Sequence, residues 1–478
     1  KPGLIDKQAV MIVTGQLDFA ADNLPGEKLH GRILTSPHAH ARILSIDTSK
    51  AEALEGVKAV VTYKDGIGFK EELTWWGQEV AAVIATEPDI AENAIDLIEV
   101  EYEPLPFVID PDEAMEPDAP LVGCWPDSNV KTGELVRGDV EAGFDKADVI
   151  FEDTVGWTNY FQMSNIETRI ALAWWLGDHI YMRVPTPSVA NSRAGMASFL
   201  GLPLNKVHLV SHGSGMIVGD KIWPGNAHYI AATLSKSLGQ PVQMQYSRRE
   251  YFLSTQHQHK AKATIKIGAK NDGTITAIDA TFYADDGGLG SAWASDLSFP
   301  IRNTLRCPDA RFAYVEIATN TPWASIYRSV QCPPGDFLME VVLDELAEEL
   351  GMNPLALRLK NAVTPEEVQQ DNGKPYSSNG VIECLNTVAE AIGWDEKWHA
   401  PGAKTLPDGR LHGIGIAGCV ESHSSAGPVV GGIINLTRDG KAICNHGITR
   451  VGCGTNSGIC AIVAETLGMS YEDVTTGE

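Results

Sequence analysis

The sequence predicts an α+β fold built in several domains, and three observations predict it. At 478 residues the chain is long enough for about three domains of ordinary size. Its apolar residues alternate with period two in many short runs and recur every three to four residues in others, so strands and helices are both expected. A proline- and acid-rich stretch, VIDPDEAMEPDAPLVGCWPDSN (108–129), reads as a linker between them.

The elements follow in order. LHGRILTSPHAHARILSIDTSKAEALEGVKAVVTYKD reads as strand, short connection, strand, a capped helical segment from Thr48, then strand. In QEVAAVIATEPDIAENAIDLIEVEYEPLP, a β run leads to a helix opening at Glu87-Pro88-Asp89, where proline suits the first helical turn, and IEVEYEPLP is the next strand. Beyond the linker, DVIFEDTVGWTNY and ALAWWLGDHIYMRVP have strand patterning, and SRAGMASFLGLPLNKVHLVS reads as helix then strand. AKATIKIGAKNDGTITAIDATFYADD is a hairpin around Asn271-Asp272-Gly273. The clearest helical region is 336–363: Leu338, Val342, Leu346 and Leu350 recur every four residues beside Met339, Leu343 and Ala347, and Gly351 offers a stop. GGIINLTRDGKAICNHG turns at Asp439-Gly440, and SGICAIVAETLGMSYEDV is a helix followed by a capped turn. The expected domains are 1–115, a linker at 116–135, 136–400, and the beginning of a further domain at 405–478.

Composition narrows the function. With 44% hydrophobic and 21% charged residues the chain has the material for sizeable cores. Its 37 basic and 62 acidic residues leave a formal charge of −25, which repels phosphate backbones and anionic lipid, so neither nucleic acid nor a membrane surface is an expected partner. No run approaches the ~18 apolar residues of a membrane span, and the first thirty residues lack the apolar core of a signal peptide. None of the eight cysteines forms a CxxC pair, which argues against a zinc or iron–sulfur site and suits a reduced cytoplasmic setting. His38 and His40, like His257 and His259, alternate along strands without further ligands, so no metal site is expected there. Trp75-Trp76 and Trp174-Trp175 read as core or interface residues.

The stretch HGSGMIVGDK (212–221) has three glycines and a lysine after a strand. It is not a Walker loop, because Ile222 follows Lys221, and its GxGxxxG spacing is wrong for a dinucleotide fingerprint. Taken alone it reads as a structural turn.

The order of motifs says more. GRILTSPHAHARILSIDTS, GQEVAAVIATEPDIAENAIDLIEVEYEPLP, GDVEAGFDKADVIFEDT, NIETRIALAWW, the glycine stretch, DGTITAIDATFYADDGG, YRSVQCPPGDFLMEVVLDELAEELGMNPLALRLKNAV and VGCGTNSGICAIVAETLGMSYEDV follow one another across essentially the whole chain. This series closely resembles the molybdopterin-binding large subunit of the molybdenum hydroxylases, the xanthine dehydrogenase, aldehyde oxidoreductase and carbon monoxide dehydrogenase family. The resemblance implies a hammerhead domain, one full molybdopterin domain and the start of a second. It implies a molybdenum–molybdopterin cofactor, plain or as the cytosine dinucleotide. Iron–sulfur clusters and FAD would belong to partner subunits.

Three loops carry the resemblance to the cofactor. Gly215, Met216, Ile217, Val218 and Gly219, with Asp220 and Lys221, occupy the first glycine loop, although Met216, Ile217 and Asp220 stand where glycines are usual and Val218 where phenylalanine is. The second reads Arg328, Ser329, Val330, Gln331, Cys332, Pro333, Pro334, with Glu340 matching a glutamate on the following helix. Arg328 would orient an anionic or carbonyl substrate. Ser329 replaces the copper-binding cysteine of carbon monoxide dehydrogenases, which argues against copper chemistry. The third, Gly452-Cys453-Gly454, replaces Gly-Gln-Gly, and the glutamine's contact is lost. Pro187, Met163 and Ile222 stand where relatives have glutamine, histidine and, in purine hydroxylases, a substrate-binding glutamate, while Glu167 matches a glutamate of the family. Ile222 therefore points to an apolar or carbonyl substrate rather than xanthine. The family's general base, a glutamate near the far C-terminus, has no counterpart in these 478 residues. The chain is expected either to be part of a longer one or to work with a second molybdopterin subunit, as in nicotinate dehydrogenase-like enzymes; its end at a turn after LGMSYEDV favours the second. The expected reaction is hydroxylation of a small-molecule substrate by water. A molybdenum-dependent hydratase or reductase, and a scaffold without cofactor, are the alternatives.

Overall fold

A computed structural model of the chain describes residues 4–22, 26–211, 213–291, 293–376, 378–420 and 431–477. Its strands, in chain order, begin with β1 (Leu29–Thr35), β2 (Ala41–Asp47), β3 (Val57–Thr62), β4 (Glu72–Leu73), β5 (Glu79–Ala85) and β6 (Glu99–Pro104). Then come β7 (Val130–Arg137), β8 (Val149–Val155), β9 (Ile170–Leu176), β10 (His179–Arg183), β11 (Val207–Val210) and β12 (Val242–Gln245). The last are β13 (Lys260–Ala269), β14 (Ile275–Asp285), β15 (Ala310–Ile317), β16 (Gly432–Leu436), β17 (Ala442–His446) and β18 (Val474–Thr476).

These strands form a seven-stranded sheet in the order β11-β10-β9-β12-β1-β5-β3, a five-stranded sheet β7-β15-β14-β13-β8, and two three-stranded sheets, β4-β2-β6 and β16-β17-β18. Residues 130–135, expected in the linker, are instead the first part of β7, which pairs antiparallel with β15. More consequentially, the break near residue 115 does not divide the sheets. β1 pairs in parallel with β12, so strands from both sides of the linker share one sheet. The pairing is tight: a Cβ on Gly31 would lie 1.9 Å from Met244 Sδ. Nothing local in either sequence announces that partnership.

Local chemistry explains the rest. Pro88 opens the Pro88–Ile95 helix after Glu87, whose backbone is extended. The hairpin β13–β14 turns at Gly273, whose φ of +84° suits glycine. The 336–363 region forms two helices, Cys332–Glu349 and Pro354–Asn361, broken where Gly351 takes φ +62° and Pro354 begins the next. Leu338, Met339, Val342, Leu343, Leu346 and Ala347 are all buried, packed with Ile265, Ile267, Phe282 and Phe312 of the five-stranded sheet. A second core joins Ile84, Ala171, Met182, Val207 and Met244 of the large sheet to Ile230, Ala231 and Leu234 of the helix Asn226–Leu238.

Among the described residues no helix is long and apolar enough to cross a membrane. The architecture sets one recurrent unit in place three times: β11, β15 and β17 each run into a loop that carries a motif and ends at a helix, Asn226–Leu238, Cys332–Glu349 or Thr455–Leu467.

Candidate functional site

The first loop leaves β11 and is held in an unusual backbone. Met216 (φ +79°), Val218 (φ +37°) and Gly219 (φ +109°) all lie in the left-handed region. Five described non-glycine residues have positive φ: Ser164, Met216, Val218, Ser329 and Val330. Four of them sit in the first two candidate loops. Each such residue costs about 1–3 kcal/mol, so the surrounding contacts must over-determine the loop. They do. Asn165 Nδ2 donates to the Ile217 carbonyl at 3.2 Å, and the Gly215 N–H donates to Glu167 Oε2 at 2.9 Å. Lys221 Nζ donates to the Glu167 carbonyl at 2.7 Å and pairs with its carboxylate at 3.0 Å, and Arg169 pairs with Asp220 at 3.2 Å. Burial pushes the Lys221 pKa down, and Glu167 pulls it partly back. Ile217 is buried while Met216 stands outward. His212 lies outside the described residues.

The second loop follows β15 and meets the first. Gln256 Nε2 donates to the Ile326 carbonyl at 2.7 Å. A Cβ on Gly219 would lie 2.0 Å from that same oxygen, so the two backbones touch at a point only glycine allows. Ser329 (φ +65°) and Val330 (φ +52°) then turn the chain into the Cys332–Glu349 helix. Gln331 is fully buried, its amide donating to His259 Nδ1 behind the loop. Arg328 is exposed, and its side chain has no partner among the described residues. Glu340 is drawn away from the site: it pairs with Arg358 at 2.6 Å. Burial raises its pKa and Arg358 holds it back.

The third loop is joined to the first less directly. Thr449 Oγ1 donates to the Thr186 carbonyl at 2.8 Å, and the Thr186 N–H donates to Ser211 Oγ at 3.1 Å. These bonds line one side of a cleft of about 510 Å³ that also touches Arg183, Arg450 and Asn456. The turn itself stands clear: a Cβ on Gly452 (φ +96°) would meet nothing within 4 Å, and Cys453 is exposed with its thiol 3.0 Å from Thr455 Oγ1.

Whether these residues suit a pterin-held metal can be judged from their unmet polar atoms. The N–H groups of Met216, Ile217 and Val218 donate to no described residue. Successive amides bared by alternating backbone conformation form a concave donor set for an anionic edge. Asn165 and Glu167, which bond the first loop, each keep one buried oxygen without a partner among the described residues, as does Gln331 of the second loop. Other buried side chains share this, Arg32 Nε, Tyr251 Oη and Gln243 Oε1 among them, so these oxygens are open to a ligand or water without singling one out. The donor and acceptor set fits a large polar cofactor. Among the described residues no cluster of three His, Cys, Asp or Glu side chains converges.

The structure brings the loops of Gly215–Gly219 and Ser329–Gln331 together through the contact of Gly219 with Ile326. Asn165, Gln256 and His259 were not legible as their supports, because each acts through a contact with a residue more than 50 positions away.

The two loops meet where Gly219 touches Ile326, and the chain belongs to the molybdenum hydroxylase family as a molybdopterin-binding large subunit. It matches the "Molybdopterin cofactor-binding domain" over residues 125–362, a second such domain over 387–478, and the "Aldehyde oxidase and xanthine dehydrogenase, a/b hammerhead domain" over 14–68. Among curated relatives, the nicotinate dehydrogenase large molybdopterin subunit of Eubacterium barkeri is 30% identical over 79% of this chain and 92% of its own length. A probable xanthine dehydrogenase subunit of Bacillus subtilis is 30% identical over 99% of this chain, which spans 65% of that relative's length. The chain spans 55% of the probable hypoxanthine oxidase XdhD of Escherichia coli. Among solved structures, the CO dehydrogenase of Oligotropha carboxidovorans superposes with a TM-score of 0.85 at 24% identity, over 99% of this chain and 66% of that one. The aldehyde oxidoreductase of Desulfovibrio gigas gives 0.83 at 23%, over 99% and 55%.

Proposed function

We propose that this chain supplies the molybdopterin-binding part of a cytoplasmic molybdenum hydroxylase, one that hydroxylates an aldehyde or an electron-poor ring carbon with water and passes the electrons to iron–sulfur and FAD subunits. The observation that carries the reading is the contact of two strained loops at Gly219 and Ile326, with amides at 216–218 and oxygens on Asn165, Glu167 and Gln331 that have no partner among the described residues.

When bound, the molybdenum–molybdopterin group, plain or as its cytosine dinucleotide, supplies the two-electron oxidation and activates water. This chain's residues do the rest. The amides of Met216, Ile217 and Val218 bind the group's electron-rich edge, with Gly215, Gly219, Ser329 and Val330 shaping the approach. Gly452, Cys453 and Gly454 border it more loosely. Arg328, exposed and unpartnered, orients a carbonyl or anionic substrate. A neighbouring cavity of about 280 Å³ is walled by Trp75, Trp223, Trp323 and Leu289, beside the Gln256 that holds Ile326. Its lining also carries Lys70, Gln78, Glu79, Arg169 and Asn226, so the preference for an apolar or carbonyl-bearing substrate over a purine rests on Ile222. The general base is assigned outside these 478 residues, to a further segment or to a second molybdopterin subunit.

The test is to isolate the complex with its co-purifying subunits from a host that makes the cofactor. The expected result is about one molybdenum per chain, oxygen-18 from labelled water in the product of an aldehyde or N-heteroaromatic substrate, and reduction of an artificial acceptor dye. Product formed without dye reduction would mean hydration. Absence of molybdenum with every partner present would leave a scaffold and end the reading.

A further inference from the structure

Behind the second loop lies a chain of fully buried polar groups, of which the proposed chemistry uses only the Gln331 oxygen. Asp286, at the end of β14, His259, just before β13, and Gln331, just before the Cys332–Glu349 helix, are each 0% exposed. His259 Nε2 lies 2.8 Å from Asp286 Oδ1 and 3.0 Å from Ser291 Oγ. The other ring nitrogen, Nδ1, meets the side-chain amide of Gln331. The backbone of Asp286 is itself fixed, its N–H donating to the Ile317 carbonyl at 2.7 Å and its carbonyl accepting from the Ala324 N–H at 2.9 Å.

Proton bookkeeping gives this chain one direction. An ionised carboxylate only accepts, so the imidazole proton facing Asp286 sits on Nε2. Gln331 Nε2 is placed against Nδ1, and an amide nitrogen only donates, so Nδ1 accepts and Gln331 presents its NH2 group to it. The amide cannot turn over without facing oxygen to a lone pair. Its Oε1 is consequently held on the other side, buried and unpaired. Ser329 and Val330, immediately before Gln331, carry two of the five positive-φ non-glycine backbones described. A strained turn needs an anchor, and this is the buried one at its end.

We infer that Asp286 and His259 are positioning residues: they fix the orientation of the Gln331 amide and through it hold the Ser329–Val330 turn against the first loop. The inference rests on the proposed cofactor cradle for its consequence, though not for its geometry.

The discriminating variants are His259→Gln, His259→Leu and Gln331→Met. Glutamine at 259 can donate its NH2 to Asp286 and accept from Gln331 with its carbonyl, so it keeps the relay; leucine fills volume without either bond. Amide exchange by mass spectrometry on the full chain, without cofactor, reads the turn directly. His259→Gln should leave exchange of the 326–332 peptide within about twofold of the native chain, while His259→Leu and Gln331→Met speed it about tenfold, the scale of one buried hydrogen bond. Peptides from the Asn226–Leu238 helix should not change. In the cofactor-loaded complex, molybdenum per chain should follow the same order. If His259→Leu does not fold, the comparison of His259→Gln with Gln331→Met still decides. Equal exchange in His259→Gln and His259→Leu, or native exchange in Gln331→Met, overturns the relay. A native complex without molybdenum would instead overturn the cradle and leave the exchange result standing.

Discussion

Glu167 and Lys221 are the residues on which the first loop turns. Their side chains are 11% and 2% exposed, and Glu167 serves the lysine and the Gly215 amide with one oxygen. Removing one partner of such a pair strands the other charge away from water. Lys221→Met is expected to lower the unfolding free energy by about 3–5 kcal/mol in urea titrations. Glu167→Gln removes the counter-charge of buried Lys221 and should fall in the same range, eased only by the amide carbonyl that still accepts from both donors. A second effect at this scale depends on pH. Burial lowers the His257 pKa to about 4 from its usual 6.5. The folded state thus favours the neutral ring, and its contribution is fully present above about pH 6.5 and lost as pH falls toward 4. Asp285 acts in the opposite sense, since burial raises its pKa to about 6. The difference between the native chain and His257→Gln isolates the histidine. Its thermal midpoint should fall less steeply than the native one between pH 6.5 and 4, and parallel curves would disprove the assignment.

At the scale of elements, the Cys332–Glu349 helix is both core and platform. Leu343 is 1% exposed against the five-stranded sheet, whereas Leu350, just past the helix end, is only half-buried. Leu343→Ala is expected to cost about 2–5 kcal/mol and Leu350→Ala markedly less, measured by chemical denaturation. The loops respond differently. Gly219→Ala adds a methyl group where Ile326 O stands 2.0 Å away and asks alanine to adopt φ +109°. The two loops must part. Molybdenum per chain should fall severalfold, with cores remote from the site unchanged by amide exchange; full loading in the variant would show that the contact does not shape the cradle.

For the whole molecule, the decisive feature is that residues on both sides of the 116–129 stretch share a sheet through β1 and β12. The beginning and end of the chain are also tied: Arg450 pairs with Asp6 at 3.1 Å, Lys7 Nζ donates to the Tyr471 carbonyl at 2.6 Å, and Tyr471 Oη donates to the Ile5 carbonyl at 3.0 Å. Proteolysis confined to 116–129 should therefore leave two pieces that co-elute in size-exclusion chromatography. Residues 29–115 expressed alone should lack a cooperative unfolding transition, because β1 would lose its β12 edge and its packing against Met244. Release of a stably folded fragment would contradict the shared sheet.

Periodicity and turn chemistry are local, and from them the sequence determined most elements: Pro88 at a helix start, the Asn271–Gly273 hairpin, the four-residue stripe from Leu338. Motif order across the chain determined the family and pointed to the residues of two facing loops. What only the tertiary structure decided is which distant segments meet. Asn165 under Ile217, Gln256 against Ile326, His259 behind Gln331 and β12 beside β1 are pairings between residues far apart in sequence. Neither partner's local pattern encodes the other. Such contacts are chosen by the joint burial of whole faces and by the need to satisfy polar groups once those faces close, and that choice exists only in the folded chain.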